Sequence, residues 1–263
     1  PALFAGLERN WSDSSPPIGK GSPAVIYHLP KLEETLRRAY KLTTEGKFGD
    51  ALKSFKSILH TVFCLVVDSR KEVDEVKELL TIARDYVCAL QIETKRKEYK
   101  DDPVRNAELA AYFTHCNMQP THLTLSLRAA MSTFYKMKNF QTAATFCRRL
   151  LELNPGQKTA QQARQVLAAC ERNPKDEVEV NYDPRNPFVT CAWNYIPIYR
   201  GNRDTTCPAC GAKFLPDCAG SICTVCEVSK ETYHIFHLYS VFERCLSRDT
   251  KCCHSFPGGQ ARY

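Results

Sequence analysis

The stretch CPACGAKFLPDCAGSICTVC, residues 207–226, constrains the fold of this chain most, because it sets two Cys-x-x-Cys turns twelve residues apart. Each turn offers two thiolates to one ion, and a hairpin of about a dozen residues brings two such turns together into a tetrahedral shell. Cys207, Cys210, Cys223 and Cys226 are therefore the candidate ligands of a zinc ion. Pro208, Gly211 and Gly220 suit the tight turns around them. Four soft ligands leave no open coordination position, so such an ion is structural and braces a hairpin with little core of its own. Unligated buried cysteines and a redox pair are the alternatives. The redox pair requires a thiolate activated at a helix start, which the sequence does not supply. Cys218, midway between the turns, reads as a bystander able to substitute as a ligand.

The chain has fourteen cysteines, yet Cys64, Cys88, Cys116, Cys147 and Cys170 sit singly among helical patterns, as small buried hydrophobes do. Single thiols plus metal-ligand pairs indicate a reducing compartment, cytosolic or nuclear. The formal charge of +7 is mild and spread along the chain. Its densest run, TKRKEYK at 94–100, reads as a solvated helix face. A nucleic-acid reader concentrates its cations, whereas residues 207–226 hold one Lys, one Asp and no Arg. There is no phosphate-cradling glycine loop and no nucleophile elbow, and His115 and His122 fit capping or core roles at a helix junction. The reading is of a protein without enzymatic activity. The longest apolar run, VFCLVV at 62–67, falls far short of the roughly twenty residues that span a bilayer. A start at Pro1 rather than Met is read as a piece of a longer protein, its C-terminal part.

Residues 1–30 carry Pro16, Pro17, Pro23 and Pro30 with no sustained period, which predicts a loop-rich lead-in with one short strand at 24–29. From Lys31 the pattern turns helical. Leu32, Leu36, Ala39 and Leu42 mark one helix ending near Gly46, and Leu52, Phe55, Ile58 and Leu59 mark the next. Val73, Val76, Leu80, Ala83, Val87 and Leu90 stripe a long helix over 71–99, broken at Asp102-Pro103. Further helices are expected over 104–115, 121–137, 140–153 and 157–171, joined by short connections that make neighbours antiparallel. GKFGDALKSF (46–55) and KNFQTAATFC (138–147) share an aromatic, an Ala three later and a bulky residue four after that, the offsets of a tetratricopeptide hairpin. Generic helical packing gives the same spacing. After Asn173-Pro174 the period shortens toward two, predicting strands over 176–201. The expected architecture is mainly α: a helical, TPR-like or α-solenoid-like body over 31–172, then a small β-rich module over 173–230 with a zinc-ribbon-like four-cysteine hairpin.

YKLTTEGKFGDALKSFKSIL, LVVD, AAYFTH, KNFQTAATFCRRLLEL, NYDPRNPF and YIPIYRG fall in the order and approximate spacing of the C-terminal domain of the coatomer alpha subunit, which the chain resembles. ERNW (8–11) and SPAV (22–25) are similar to its lead-in, so the resemblance covers roughly residues 8–230. It implies a subunit of the COPI vesicle coat, on the cytosolic face of Golgi membranes, serving Golgi-to-ER retrograde and intra-Golgi transport. It further implies binding to the epsilon subunit, itself a TPR protein, beside other coatomer subunits. The propellers that read dilysine cargo tails lie far upstream in that family, so no cargo site is carried over. Family members differ in whether they keep the four thiols, so the metal reading rests on this sequence. The family usually continues past EVSK (227–230) with Ile-Gly and a short strand; ETYHIFHLYSVFERCLSRDTKCCHSFPGGQARY (231–263) has no likeness to that ending. These residues are read as an atypical tail, poorly ordered, with Cys252 and Cys253 incidental.

A rigid body with no reactive centre works by burying apolar anchors against a partner. The strand region is the expected partner-facing element, with Tyr195, Ile196, Ile198 and Tyr199 as anchors, though each also suits packing onto the body. The first thirty residues are the alternative carrier of the contact. The rival class is a zinc-ribbon nucleic-acid binder or a zinc-dependent ubiquitin-pathway adaptor.

Overall fold

A computed structural model describes residues 7–8, 24–25, 27–65, 67, 69–218 and 220–230. Strands β1 (Leu7–Glu8) and β2 (Ala24–Val25) pair antiparallel ahead of the helices. The expected tail, with Cys252 and Cys253, and residues 1–6, 9–23 and 26 of the lead-in lie outside the described residues.

Among the described residues seven α-helices follow: α1 (Leu29–Thr44), α2 (Phe48–Thr61), α3 (Arg70–Arg96), α4 (Pro103–Phe113), α5 (Pro120–Lys136), α6 (Phe140–Glu152) and α7 (Gln157–Arg172). The anticipated stripe of α3 is buried at all six positions, from Val73 to Leu90. Proline sets three of the starts. Pro30, Pro103 and Pro120 lie in the first turns of α1, α4 and α5, where a missing N–H costs nothing. This is why α1 begins at Leu29 rather than Lys31, inside the span 24–29 expected as a strand; of that strand the described residues hold Ala24–Val25. Asp102 and Ser69 cap α4 and α3, accepting from the backbone N–H of Arg105 and Glu72.

The two sequences with shared offsets form the same turn. Gly46 and Lys138 sit at φ +75° and +61°, and the residue after each donates back five positions, Lys47 to Leu42 and Asn139 to Phe134. That left-handed cap reverses the chain within three residues, so α2 and α6 fold back on α1 and α5. Ala51 and Ala143 are fully buried where the helices of each pair approach, and Phe55 and Phe146 fill the space beside them. Each helix packs chiefly on its sequence neighbour.

Two buried clusters result. One joins α4 to α5–α7 around Phe134, Phe146 and Ala111. The other runs from α1–α4 without a break into the C-terminal part, ending on Phe214, Val225 and the four paired cysteines. Tyr86, wholly buried, locks this second cluster: it stacks on Phe55 and accepts a hydrogen bond from Gln119 N. Its hydroxyl then donates to His122 Nδ1, leaving His122 Nε2 to donate to Thr44 Oγ1. His122 is thus a core histidine joining α1, α3 and α5, and His115 packs on Tyr182 and Phe188 at the surface.

Residues 176–187 depart from the expected strands. Their polar groups are captured by the helices instead: Asn139 donates to Val178 O and accepts from Val178 N, and Asp176 accepts from Thr142 N at the start of α6. Tyr112 donates to Asn181 O, and Tyr182 stacks on Phe146. A backbone already bonded to helices has no ladder left to form, and Pro184 and Pro187 lack the donor. Among the described residues after α7, ladder pairing is limited to two short antiparallel hairpins, β3 (Phe188–Thr190) with β4 (Pro197–Tyr199) and β5 (Thr205–Thr206) with β6 (Lys213–Phe214), and an isolated bridge between Ile222 and Lys230. The described chain is mainly helical, with these small sheets near its C-terminal end.

Candidate metal centre

The β5–β6 hairpin carries the first cysteine turn at its tip. Cys207 O accepts from Gly211 N, Cys207 N donates to Ala212 O, and Gly211 adopts φ +78°. The second turn repeats this scheme, with Cys223 O accepting from Glu227 N and Cys223 N donating to Ser229 O. Glu227, at φ +57°, takes the place that glycine holds in the first turn. Each turn points two sulfurs inward, and all four Sγ atoms lie within 4.8 Å of one another, fully buried. Cys207 and Cys226 are 3.7 Å apart, as are Cys210 and Cys223.

These spacings test the ligand reading. A Zn–S bond of about 2.3 Å places tetrahedral sulfurs about 3.8 Å apart, whereas a disulfide needs about 2.05 Å. The two pairs at 3.7 Å match the edge of a tetrahedron, and all four cysteines are free thiols. Among the described residues this is the one cluster of Cys, His, Asp or Glu placed to share an ion. The thiols also perturb one another. Hydrogen bonding with Cys210, then Cys223 and Cys226, holds Cys207 far below its ordinary value, and the same contact drives Cys210 upward. Four thiolates at this spacing repel one another and require a cation among them. Ser229 Oγ lies 3.0 Å from Cys207 Sγ, a further donor toward that sulfur.

The remaining thiols behave differently. Burial pushes Cys88 and Cys147 up to about 12, and raises Cys116 and Cys170 as well, which makes them inert apolar groups. Cys218 stands outside the four-sulfur set and accepts from Asn194 Nδ2 at 3.9 Å.

Polar side chains from the helices reach the centre's backbone. Gln91 of α3 donates to Thr224 O at 2.8 Å, His60 of α2 donates through Nε2 to Cys226 O at 2.8 Å, and Lys56 pairs with Glu227. Arg105 of α4 donates to Asn194 O and Tyr195 O while paired with Glu108. Sequence reasoning missed all of these, because single polar residues on amphipathic helices carry no spacing signal.

The four sequence-proposed anchors separate. Ile198 is 3% exposed and belongs to the core. Tyr199 packs edge-on against Phe188, and its hydroxyl accepts from Asp183 N. Tyr195 sits half-buried at φ +57°, against the same core. Ile196 alone of the four is exposed, at 38%, and Trp193 in the same turn is 47% exposed. No helix among the described residues is long and apolar enough to cross a membrane.

Residues 1–238 match the family model that describes the C-terminus of the coatomer (COPI) alpha subunit. The chain is 54% identical over 229 residues to coatomer subunit alpha-1 of Arabidopsis thaliana, covering 87% of this chain and 19% of that protein. Coatomer subunit alpha of Dictyostelium discoideum is 48% identical over 218 residues, 80% of this chain and 18% of its own length. Coatomer subunit alpha of Saccharomyces cerevisiae is 30% identical over 210 residues, 78% of this chain and again 18% of the relative. The chain thus corresponds to less than a fifth of the length of these relatives.

Proposed function

The chain belongs to the family defined by the C-terminus of the coatomer (COPI) alpha subunit, a component of the COPI coat, and from that premise we propose that it is a non-enzymatic binding module that holds the epsilon subunit. In this reading it works peripherally, on the cytosolic face of Golgi membranes, in Golgi-to-ER retrograde and intra-Golgi transport, beside other coatomer subunits. The TPR-like helical body over 31–172 and the β-rich module over 173–230 act as one rigid unit, because one buried cluster runs through both.

The observation that carries this reading is the closed sulfur set. Cys207, Cys210, Cys223 and Cys226 would hold a structural zinc in a zinc-ribbon-like hairpin, with every coordination position taken by protein. When bound, the ion supplies neutralisation of the thiolates and folding free energy. The residues around it exclude water and present surface, and none is placed to attack or activate a substrate. A cleft of about 330 Å³ at the seam between α3 and β6 includes Arg84 and Lys213, but Asp85 and Asp204 hold those cations. The same commitment of Lys213 argues against the nucleic-acid reading, which needs free cations along a backbone path.

Adhesion between subunits then falls to exposed apolar groups. Stable interfaces bury about 1,200–2,000 Å² around a few aromatic or aliphatic anchors. Trp193 and Ile196 are such groups on the β3–β4 turn; Ile198 and Tyr199 support them from within. Co-purification with the epsilon subunit tests this. Ile196→Asp with Trp193→Ala should cut capture at least tenfold while the chain stays folded, and truncation of residues 1–30 should leave it within twofold. Undiminished capture by the double variant, with loss on truncation, would move the contact to the lead-in; no capture by the unmodified chain would end the proposal.

A further inference from the structure

The turn at the tip of the β3–β4 hairpin is a third copy of the cysteine turns. Cys191 O accepts from Tyr195 N at 3.0 Å and Cys191 N donates to Ile196 O at 2.9 Å, as Cys207 bonds with Gly211 and Ala212. Tyr195 lies at φ +57°, the left-handed position that Gly211 and Glu227 hold in the other two. The strands match in register as well: Cys191 directly follows β3 and β4 begins six residues later, just as Cys207 follows β5 and β6 begins six residues later. FVTCAWNYIPIY and DTTCPACGAKFL thus align without a gap, with Asn194 where the metal-type turn has Cys210.

A partner for this third turn lies in LPDC, residues 215–218, which closes as a single 3-10 turn with Cys218 N donating to Leu215 O. Leu215 takes the first ligand position and Cys218 the second. The two turns meet: Leu215 N donates to Cys191 Sγ at 3.4 Å, and Asn194 Nδ2 approaches Cys218 Sγ at 3.9 Å. Along the chain the four turns alternate, the first with the third and the second with the fourth. Thr224 Oγ1, between the ligand cysteines of the last turn, ties the two sets together by donating to Ala192 O at 2.7 Å.

We propose that the module is an interleaved brace with two nodes: one built for a metal ion, and a second of the same backbone design, Cys191, Asn194, Leu215 and Cys218, that closes without one. At the second node a carboxamide and a leucine replace two thiols, so hydrogen bonds to sulfur and apolar packing do the joining. Arg105, donating to Asn194 O and Tyr195 O, fixes this metal-free node to α4. The β3–β4 turn that presents Trp193 and Ile196 therefore keeps its shape whether or not the first node is loaded. The metal at the first node is the zinc reading proposed above; the design of the second node does not depend on it.

Counting metal on the full chain decides the matter. Asn194→Cys with Leu215→Cys completes a second set of four thiols, and bound zinc should rise by one ion per chain relative to the unmodified protein. Cobalt(II) loading should raise the tetrahedral thiolate absorption in step. A rise from none to one would support the second node while removing the zinc assignment at the first; an unchanged count in a folded variant would overturn the inference. Should the double variant not fold, amide exchange of the unmodified chain under a chelator provides the test. Cys207, Gly211, Cys223 and Glu227 amides should lose at least a hundredfold protection while Cys191 and Tyr195 stay within threefold. All six falling together would refute a metal-free node, and none changing would refute the division into one metal-built and one metal-free node.

Discussion

Replacing Arg105 by Ala removes a polar clamp between the helical body and the β-rich module. Its side chain is only 19% exposed and makes three hydrogen bonds, at 2.8 Å to Glu108 Oε2 and at 3.0 and 3.2 Å to the carbonyls of Asn194 and Tyr195. Glu108 is 12% exposed, and its other oxygen accepts from Asn181 N. Loss of the guanidinium leaves a nearly buried carboxylate with one donor. Breaking a buried pair costs about 3–5 kcal/mol, and a charged hydrogen bond contributes about 1.5–3 kcal/mol. Water can reach the freed carbonyls, so the lower end applies, about 3 kcal/mol in all. With a urea slope of about 2–3 kcal/mol/M the midpoint should fall by roughly 1–1.5 M. Glu108→Gln in the same chain should restore part of the loss, since the uncompensated charge is then gone. A loss under about 1 kcal/mol, or no recovery in the double variant, would mean that apolar packing alone holds the seam.

Three other outcomes follow from named contacts. Gly211→Ala must bear φ +78° and a Cβ 3.0 Å from Arg84 Nη1, a destabilisation of about 1–2 kcal/mol by thermal melting, whereas Gly49→Ala, with open space around it, should not destabilise. Ala143→Leu forces extra volume into the fully buried α5–α6 contact and should cost about 1–3 kcal/mol; a neutral result would show that the two helices do not rely on close approach. Burial lowers His122 from its ordinary 6.5, so the unfolded chain takes up the proton first. Its contribution is complete above pH 6.5 and is lost as pH falls toward the folded value. Stability between about pH 7 and 5 should decline less in His122→Gln than in the unmodified chain, and parallel curves would refute this.

Periodicity was enough to locate the helical body. Apolar residues at helical spacing mark a face that must be covered, and a proline or glycine marks where the chain can leave the helix, so α3 through α7 lie within a few residues of expectation. The paired cysteines were equally legible, because a three-residue offset puts two thiols on one side of a turn and the four sulfurs do converge. Of the strand region expected over 176–201, residues 176–187 form no strand for a reason no local pattern contains: Asn139, Thr142 and Tyr112, about thirty-five to seventy residues away, take up their polar groups.

The residues themselves determined which segments would be helical and which four thiols would meet, since both follow from spacing along the chain and from chemistry carried by each residue type. Only folding in three dimensions decided that the cysteine hairpin shares its core with α1–α4, that Ile198 is buried while Ile196 is exposed, and that Asn194 and Cys218 face one another. Such pairings depend on which surfaces come together once the helices have packed, and distance along a chain holds no record of that.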